Sequence, residues 1–396
     1  LSLLMLSCVC FTGQANWYSK PSLAMSYSRY TEKNFTAQQQ AELGLELEYT
    51  SSWFAFKFEG EYQYDFVYDR DGHFSDAARD EYQSRVIVDD AYIAFDALDS
   101  YWRVGIQKAV WGEADDIRIV DIVNPLDFRD YILFDIDEYR VGVPMVKVEH
   151  EFENDTSLSF VTVLDYQSNQ YPPAGADFAV EGYQDIDHTR SGVAEFGVRL
   201  DSYYLDSDIS FYGFYGYNDD PVLSSGADNK VVPLIDKYTM LGSSISRPFG
   251  SWLLRGEFAY SFDLLVASDK AGGSKVDKFQ GLLGLDYRYI DWTATFQYID
   301  HRIRNYDDAL QVTRSEPVYT LSLEKEFLSG NLVAKSALSH IDSLGGGSLA
   351  QLKLTYKYSP DFKIDLNMDF LNGAKTNNIG QFREKDRLWL SATYYL

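Results

Sequence analysis

The sequence predicts an all-β chain that closes into a transmembrane antiparallel barrel of about eighteen strands, sixteen being the nearest alternative. Three observations predict it. Apolar and polar residues alternate with period two along most of the chain. Short and long connections separate the alternating segments in turn. Tryptophans recur one or two residues after the short connections.

The alternation is clearest where Phe54, Phe56, Phe58, Tyr62 and Tyr64 interleave with Lys57, Glu59, Glu61, Gln63 and Asp65, and where Leu43, Leu45 and Leu47 interleave with Glu42, Glu46 and Glu48. Leu352, Leu354 and Tyr356 alternate likewise with Lys353, Thr355 and Lys357, and Ile364, Leu366 and Met368 with Lys363, Asp365 and Asn367. Successive side chains of a strand point to opposite faces, so each stretch is a strand with one apolar and one polar face. Such segments run over 22–30, 41–50, 53–68, 84–97, 101–111, 141–152, 156–165, 192–204 and 207–217. They continue over 236–247, 251–266, 278–289, 292–303, 316–327, 330–341, 348–358, 362–371 and 385–396. Connections such as Ser51-Ser52 and Ile290-Asp291 are tight, whereas 69–83, 112–140, 166–191 and 218–235 are long, as expected of a barrel with periplasmic turns and external loops. Trp53, Trp102, Trp252 and Trp292 each follow a short turn, where indole rings would form a girdle at headgroup level.

Composition agrees. The net charge of −25 argues against nucleic acid, whose binding draws on Lys and Arg. Both cysteines, Cys8 and Cys10, lie in an apolar opening stretch that ends in Gly13-Gln14-Ala15, so residues 1–15 read as a signal peptide cleaved before Asn16, truncated at its start. Residues 16–396 then form a single barrel in a Gram-negative outer membrane, facing lipid and lipopolysaccharide and inserted by the barrel-assembly machinery.

The loop over 112–140 is both long and amphipathic. Folded inward, it would set Ile117, Ile119, Val120, Ile122, Val123 and Leu126 against the wall. Its polar residues would then narrow the pore: Glu113, Asp115, Asp116, Arg118, Asp121, Asn124, Asp127, Arg129, Asp130, Asp135, Asp137 and Arg140. Trp111 would end the strand as an aromatic anchor, Gly112 would make the bend, and Asn124-Pro125 would break the path. An external cap over the mouth is the alternative. On the lumen wall, Glu42, Glu46, Glu48, Glu59, Glu61 and Asp65 beside Lys57 would concentrate cations.

This region also carries a resemblance. Gly105, Gln107, Trp111-Gly112-Glu113-Ala114-Asp115, Asn124-Pro125, Asp127 and Arg140, within Val104 to Glu149, match the signature of a proteobacterial outer-membrane family of unknown function. The resemblance implies a channel-like outer-membrane protein of the kind found beside lipid or hydrophobic-compound transport systems.

No catalytic constellation stands out. His73, His150, His188, His301 and His340 are scattered, no nucleophile motif accompanies them, and neither metal nor cofactor is expected. Asp219-Asp220 and Asp307-Asp308 could hold a hard cation but read as a charged rim. The expected function is passive passage of small solutes, hydrophobic or cationic. The alternative is a component of a lipid or hydrophobic-compound transport or secretion system that docks a periplasmic partner.

Overall fold

A computed structural model describes residues 16–32, 35–69, 74–114, 117–130, 139–179, 189–190, 192–225, 231–270 and 272–396. The wall strands are β1 (Asn16–Tyr30), β2 (Thr36–Thr50), β3 (Ala55–Asp65), β4 (Ser84–Ala97), β5 (Ser100–Gln107) and β6 (Val143–Phe152). Next come β7 (Thr156–Val163), β8 (Glu195–Tyr204), β9 (Ser207–Tyr217), β10 (Lys237–Phe249), β11 (Trp252–Val266) and β12 (Ser274–Tyr289). The last six are β13 (Trp292–Arg304), β14 (Ser315–Phe327), β15 (Leu332–Ile341), β16 (Gly347–Ser359), β17 (Phe362–Gly373) and β18 (Arg387–Tyr395).

Each strand pairs antiparallel with its neighbours in sequence, and β1 pairs with β18 from Ser22↔Tyr395 to Tyr30↔Arg387. The sheet is therefore a closed barrel of eighteen strands, which leaves no free edge. All eighteen predicted segments correspond one to one with these strands. The turns at Leu98-Asp99 (φ 54° and 54°) and Leu205-Asp206 (φ 50° and 56°) have both central residues at positive φ, the hairpin form whose twist matches that of the strands.

The faces are inverted relative to a water-soluble protein. Outward positions such as Leu43 (57% exposed) and Leu283 (65%) are bare, while polar Gln107, Gln297 and Glu257 are buried inside. Trp53, Trp102, Trp252 and Trp292 all lie at the short-turn end, and Trp17 joins them, 4.7 Å from the Tyr49 ring. Trp102 satisfies its N–H on the Ala97 carbonyl at 2.9 Å.

Several strand limits differ from expectation, among them the starts of β2 at Thr36 and of β12 at Ser274 instead of 41 and 278. β1 begins at Asn16 rather than at 22, because Pro21 interrupts the reading but costs little: it lies just before the ladder with β18 starts. β3 stops at Asp65 instead of running to 68, since the Asp65 carboxylate accepts the Val67 and Gln39 N–H groups, each at 3.0 Å, and a 3₁₀ turn follows over Phe66–Asp69. β5 stops at Gln107 rather than at 111, for a reason given below. The expected signal segment, and the histidines His73 and His188, lie outside the described residues.

Candidate channel constriction

Between β5 and β6 the chain leaves the wall and enters the lumen. Past Gln107, side chains of the in-folded segment replace the ladder: Asn124 Oδ1 accepts the Ala109 N–H at 2.7 Å, and Asp121 accepts the Trp111 N–H at 3.1 Å. Trp111 is thus no interfacial anchor. It is 3% exposed and packs inside on Tyr212 of β9, with ring centroids 5.4 Å apart. Gly197 of β8 makes room, because a Cβ there would lie 2.6 Å from the indole.

Gly112 turns the chain at φ 83°, where a side chain would also meet Glu257 and Val120. Glu257 of β11 receives the bend: Oε1 accepts the Glu113 and Ala114 N–H groups, the latter at 2.7 Å. Arg255 clasps it from the same strand, with Nη1 on the Glu113 carbonyl at 2.6 Å and Nη2 on Asp286 at 2.8 Å. Ile119, Val120 and Val123 then join one buried cluster with Val143 and Met145 of β6, Tyr212 and Phe214 of β9, and Met240 of β10. Ile117 and Ile122 pack against its margin. Apolar segment and apolar wall pack together here, while a cavity of about 470 Å³ stays open between the segment and β10–β14, lined by Arg118, Asp220, Lys278, His301 and Glu316.

Its polar residues divide into two groups. Asp121 and Arg140 are not exposed to an open passage; they pair with each other at 2.7 Å, with side chains 6% and 4% exposed. Asn124, fully buried, spends its amide on the carbonyls of Gln107 (3.2 Å) and Val141 (2.8 Å). These three hold the segment together, which corrects their expected place on the passage. Glu113 contributes its backbone. Arg118 donates to the Asn124 carbonyl and reaches Asp219 at 3.4 Å.

Asp127, Arg129 and Asp130 form the second group. Arg129 pairs with Asp127 and with Glu81 of a short helix, α1 (Asp76–Tyr82), whose Tyr82 hydroxyl donates to the Arg129 carbonyl at 2.8 Å. Asp130 meets Arg85 of β4 at 2.7 Å. Asp115, Asp116, Asp135 and Asp137 lie outside the described residues.

On the opposite side a chamber of about 340 Å³ lies between β1–β3 and β16–β18. Glu42, Glu61, Asp127, Asp130 and Asp365 line it together with Lys353, Lys363 and Arg387. A smaller cavity of about 40 Å³ adjoins it among Tyr30, Arg85, Arg129, Asp177 and Arg387. Glu46, Glu48 and Glu59 share the inner face, Glu46 directly opposite Glu59. Lys57 bridges Glu59 (2.8 Å) and Asp90 (3.2 Å), and Asp65 is occupied by backbone N–H groups.

Sequence reasoning missed Glu257 and Arg255. Period two places both on the inner face, but a wall residue's partner in a distant loop leaves no local signal.

Asp219, in the loop after β9, carries a titration signature. Burial pushes its carboxyl up to about 7, against the opposing charge of Arg118. Because the folded value is raised, its stabilising contribution is complete below the ordinary value of about 4 and is lost as pH rises through 7. Proteolysis within 218–236 is accordingly expected to be faster at pH 8 than at pH 6, and Asp219→Asn should flatten the difference. Equal rates for the unsubstituted protein would contradict this.

Several solved structures share the fold. OccAB4 of Acinetobacter baumannii superposes with a TM-score of 0.59 at 10% identity, covering 97% of this chain and 99% of that one. OccD3 (OpdP) of Pseudomonas aeruginosa gives 0.58 at 12% identity, with 96% and 91% covered. The outer membrane protein OpdK of Pseudomonas aeruginosa gives 0.57 at 10% identity, with 96% and 99% covered. No curated protein matches. Residues 26–396 match the family described as "Protein of unknown function (DUF1302)", and the chain belongs to that family.

Proposed function

We propose that the chain is an outer-membrane channel for passive passage of small polar or charged solutes, with the 107–142 segment as its constriction. One observation carries this reading: the segment packs its apolar residues on the wall and divides the lumen into polar cavities, one against β1–β3 and β16–β18 and one against β10–β14. A passage lined this way strips little water from a charged solute and offers a hydrophobic one no apolar path. The structural likeness to the outer membrane protein OpdK supports the membrane placement. In the cell the barrel would sit among outer-membrane lipid and lipopolysaccharide after insertion by the barrel-assembly machinery. No chemistry is assigned to the chain beyond conduction.

The test is single-channel recording from purified protein in a planar bilayer. Steady conductance is expected. A silent barrel would refute the channel and favour a docking component that needs a periplasmic partner.

Selectivity follows from the lining. Five carboxylates face three cations in the chamber, so modest cation preference is expected in dilute KCl. It should fade towards 1 M salt, where the Debye length is about 3 Å. Glu42→Lys with Glu61→Lys should reverse the sign of the reversal potential. Anion preference in the unsubstituted protein would show that Lys353, Lys363 and Arg387 dominate instead.

A further inference from the structure

We propose that the lipid-facing surface of β13–β16, at the short-turn end, is a binding site for one glycerophospholipid of the periplasmic leaflet. The register builds it. Lys325 of β14 stands between Trp292 of β13 and Ala334 of β15, while one row deeper Leu323 stands beside Ser336, and Ser336 beside Leu352. Outward neighbours on this wall are mostly leucine or aromatic, so two short side chains in succession leave a hollow. It encloses about 280 Å³, and its floor continues across Leu354 to Leu366 and Met368. An acyl chain fits such a trough, where the Ser336 hydroxyl is turned to the Leu323 carbonyl at 3.4 Å.

The polar end of the hollow has a defined charge. The Lys325 ammonium lies 4.3 Å from the Trp292 ring centroid and 4.9 Å from that of Phe327. Among the described residues it makes no ion pair with a carboxylate, because alternation turns the adjacent Glu324 and Glu326 to the other face. Tryptophan at this end marks headgroup depth, where the acyl chains meet the phosphates. A cation without a counter-ion at that depth, above an apolar trough, is complementary to a lipid phosphate carrying its chain downward. Arg247 of β10 provides the contrast: an exposed cation on the same face and rim, beside the large Leu254.

The inference rests on the membrane placement above but not on conduction. The test is native mass spectrometry of the full barrel released from nanodiscs of palmitoyl-oleoyl phosphatidylglycerol and phosphatidylethanolamine. One retained phosphatidylglycerol is expected. Lys325→Gln should lower that population about fivefold, the equivalent of the ~1 kcal/mol a surface lysine contributes towards anionic lipid. Ser336→Leu fills the hollow, leaves the charge in place, and should lower it as much; Arg247→Gln should change nothing. Heat-modifiable migration confirms that each variant is folded. Absence of a stoichiometric adduct on the unsubstituted barrel, or an equal loss in Arg247→Gln, would overturn the site. Conductance of the same variants should stay unchanged, which separates this outcome from failure of the channel reading.

Discussion

A barrel lacking residues 116–136 is expected to assemble and to conduct several-fold more than the intact protein. The wall is held by a ladder that closes on itself through β1 and β18, and none of its pairings passes through this segment. What the deletion removes is the plug: Ile119, Val120 and Val123, at most 2% exposed. Each contributes about 1.5–3 kcal/mol by burial, which holds the segment down without fixing the wall. With it gone, the cavity beside β10–β14 and the chamber beside β1–β3 merge into one wider lumen. Unchanged conductance in planar bilayers would mean that the segment does not limit the current. Failure to assemble would instead mark it as a folding element.

The second large effect is expected from Asp121→Ala. The buried Arg140 would then lose the Asp121 carboxylate, and the Trp111 N–H would lose its acceptor. Breaking a buried pair by removing one partner costs about 3–5 kcal/mol, more than any single rim charge contributes. The cost should appear where the pair sits, as loosening of the in-folded segment in an otherwise intact barrel. Current through Asp121→Ala channels should become noisy between two or more levels, and protease should cut within 112–140 of the folded protein. Removing both partners should be milder than the two single losses combined, because the interaction between the two is then lost only once. Quiet current and full protease resistance in Asp121→Ala would contradict the account.

Much of this architecture is legible in the sequence, for a physical reason. A wall between lipid and water forces alternate residues to opposite solvents, so Leu43 and Glu42 announce their faces wherever the strand lies. An inward course for 112–140 is one of the two readings its run of isoleucine and valine allows, because such a run needs something to cover it. Individual roles within the segment are not legible. Asp121 and Asp130 look alike in sequence and each pairs with a buried arginine, yet Asp121 is shielded from water while Asp130 stays about a third exposed and faces the chamber. The difference depends on where Arg140 and Arg85 arrive from other elements. Trp111 misleads for the same reason: the tryptophans at the short turns meet lipid, whereas Trp111 lies past a strand end and finds Tyr212 across the lumen. Glu257 is hidden most completely, since the backbone N–H groups that it accepts lie more than 140 residues earlier.

Thiol blocking of the current tests most directly which side of the lumen conducts. In a background with Cys8 and Cys10 replaced by serine, Glu42→Cys and Val120→Cys would be exposed separately to a cationic, membrane-impermeant methanethiosulfonate during single-channel recording. The geometry predicts a stepwise fall in current for Glu42→Cys, whose thiol faces the chamber, and no reaction at Val120→Cys, which is sealed between the segment and β10. Rapid modification and block at position 120, with position 42 silent, would place the passage on the other side and contradict the assignment of the constriction.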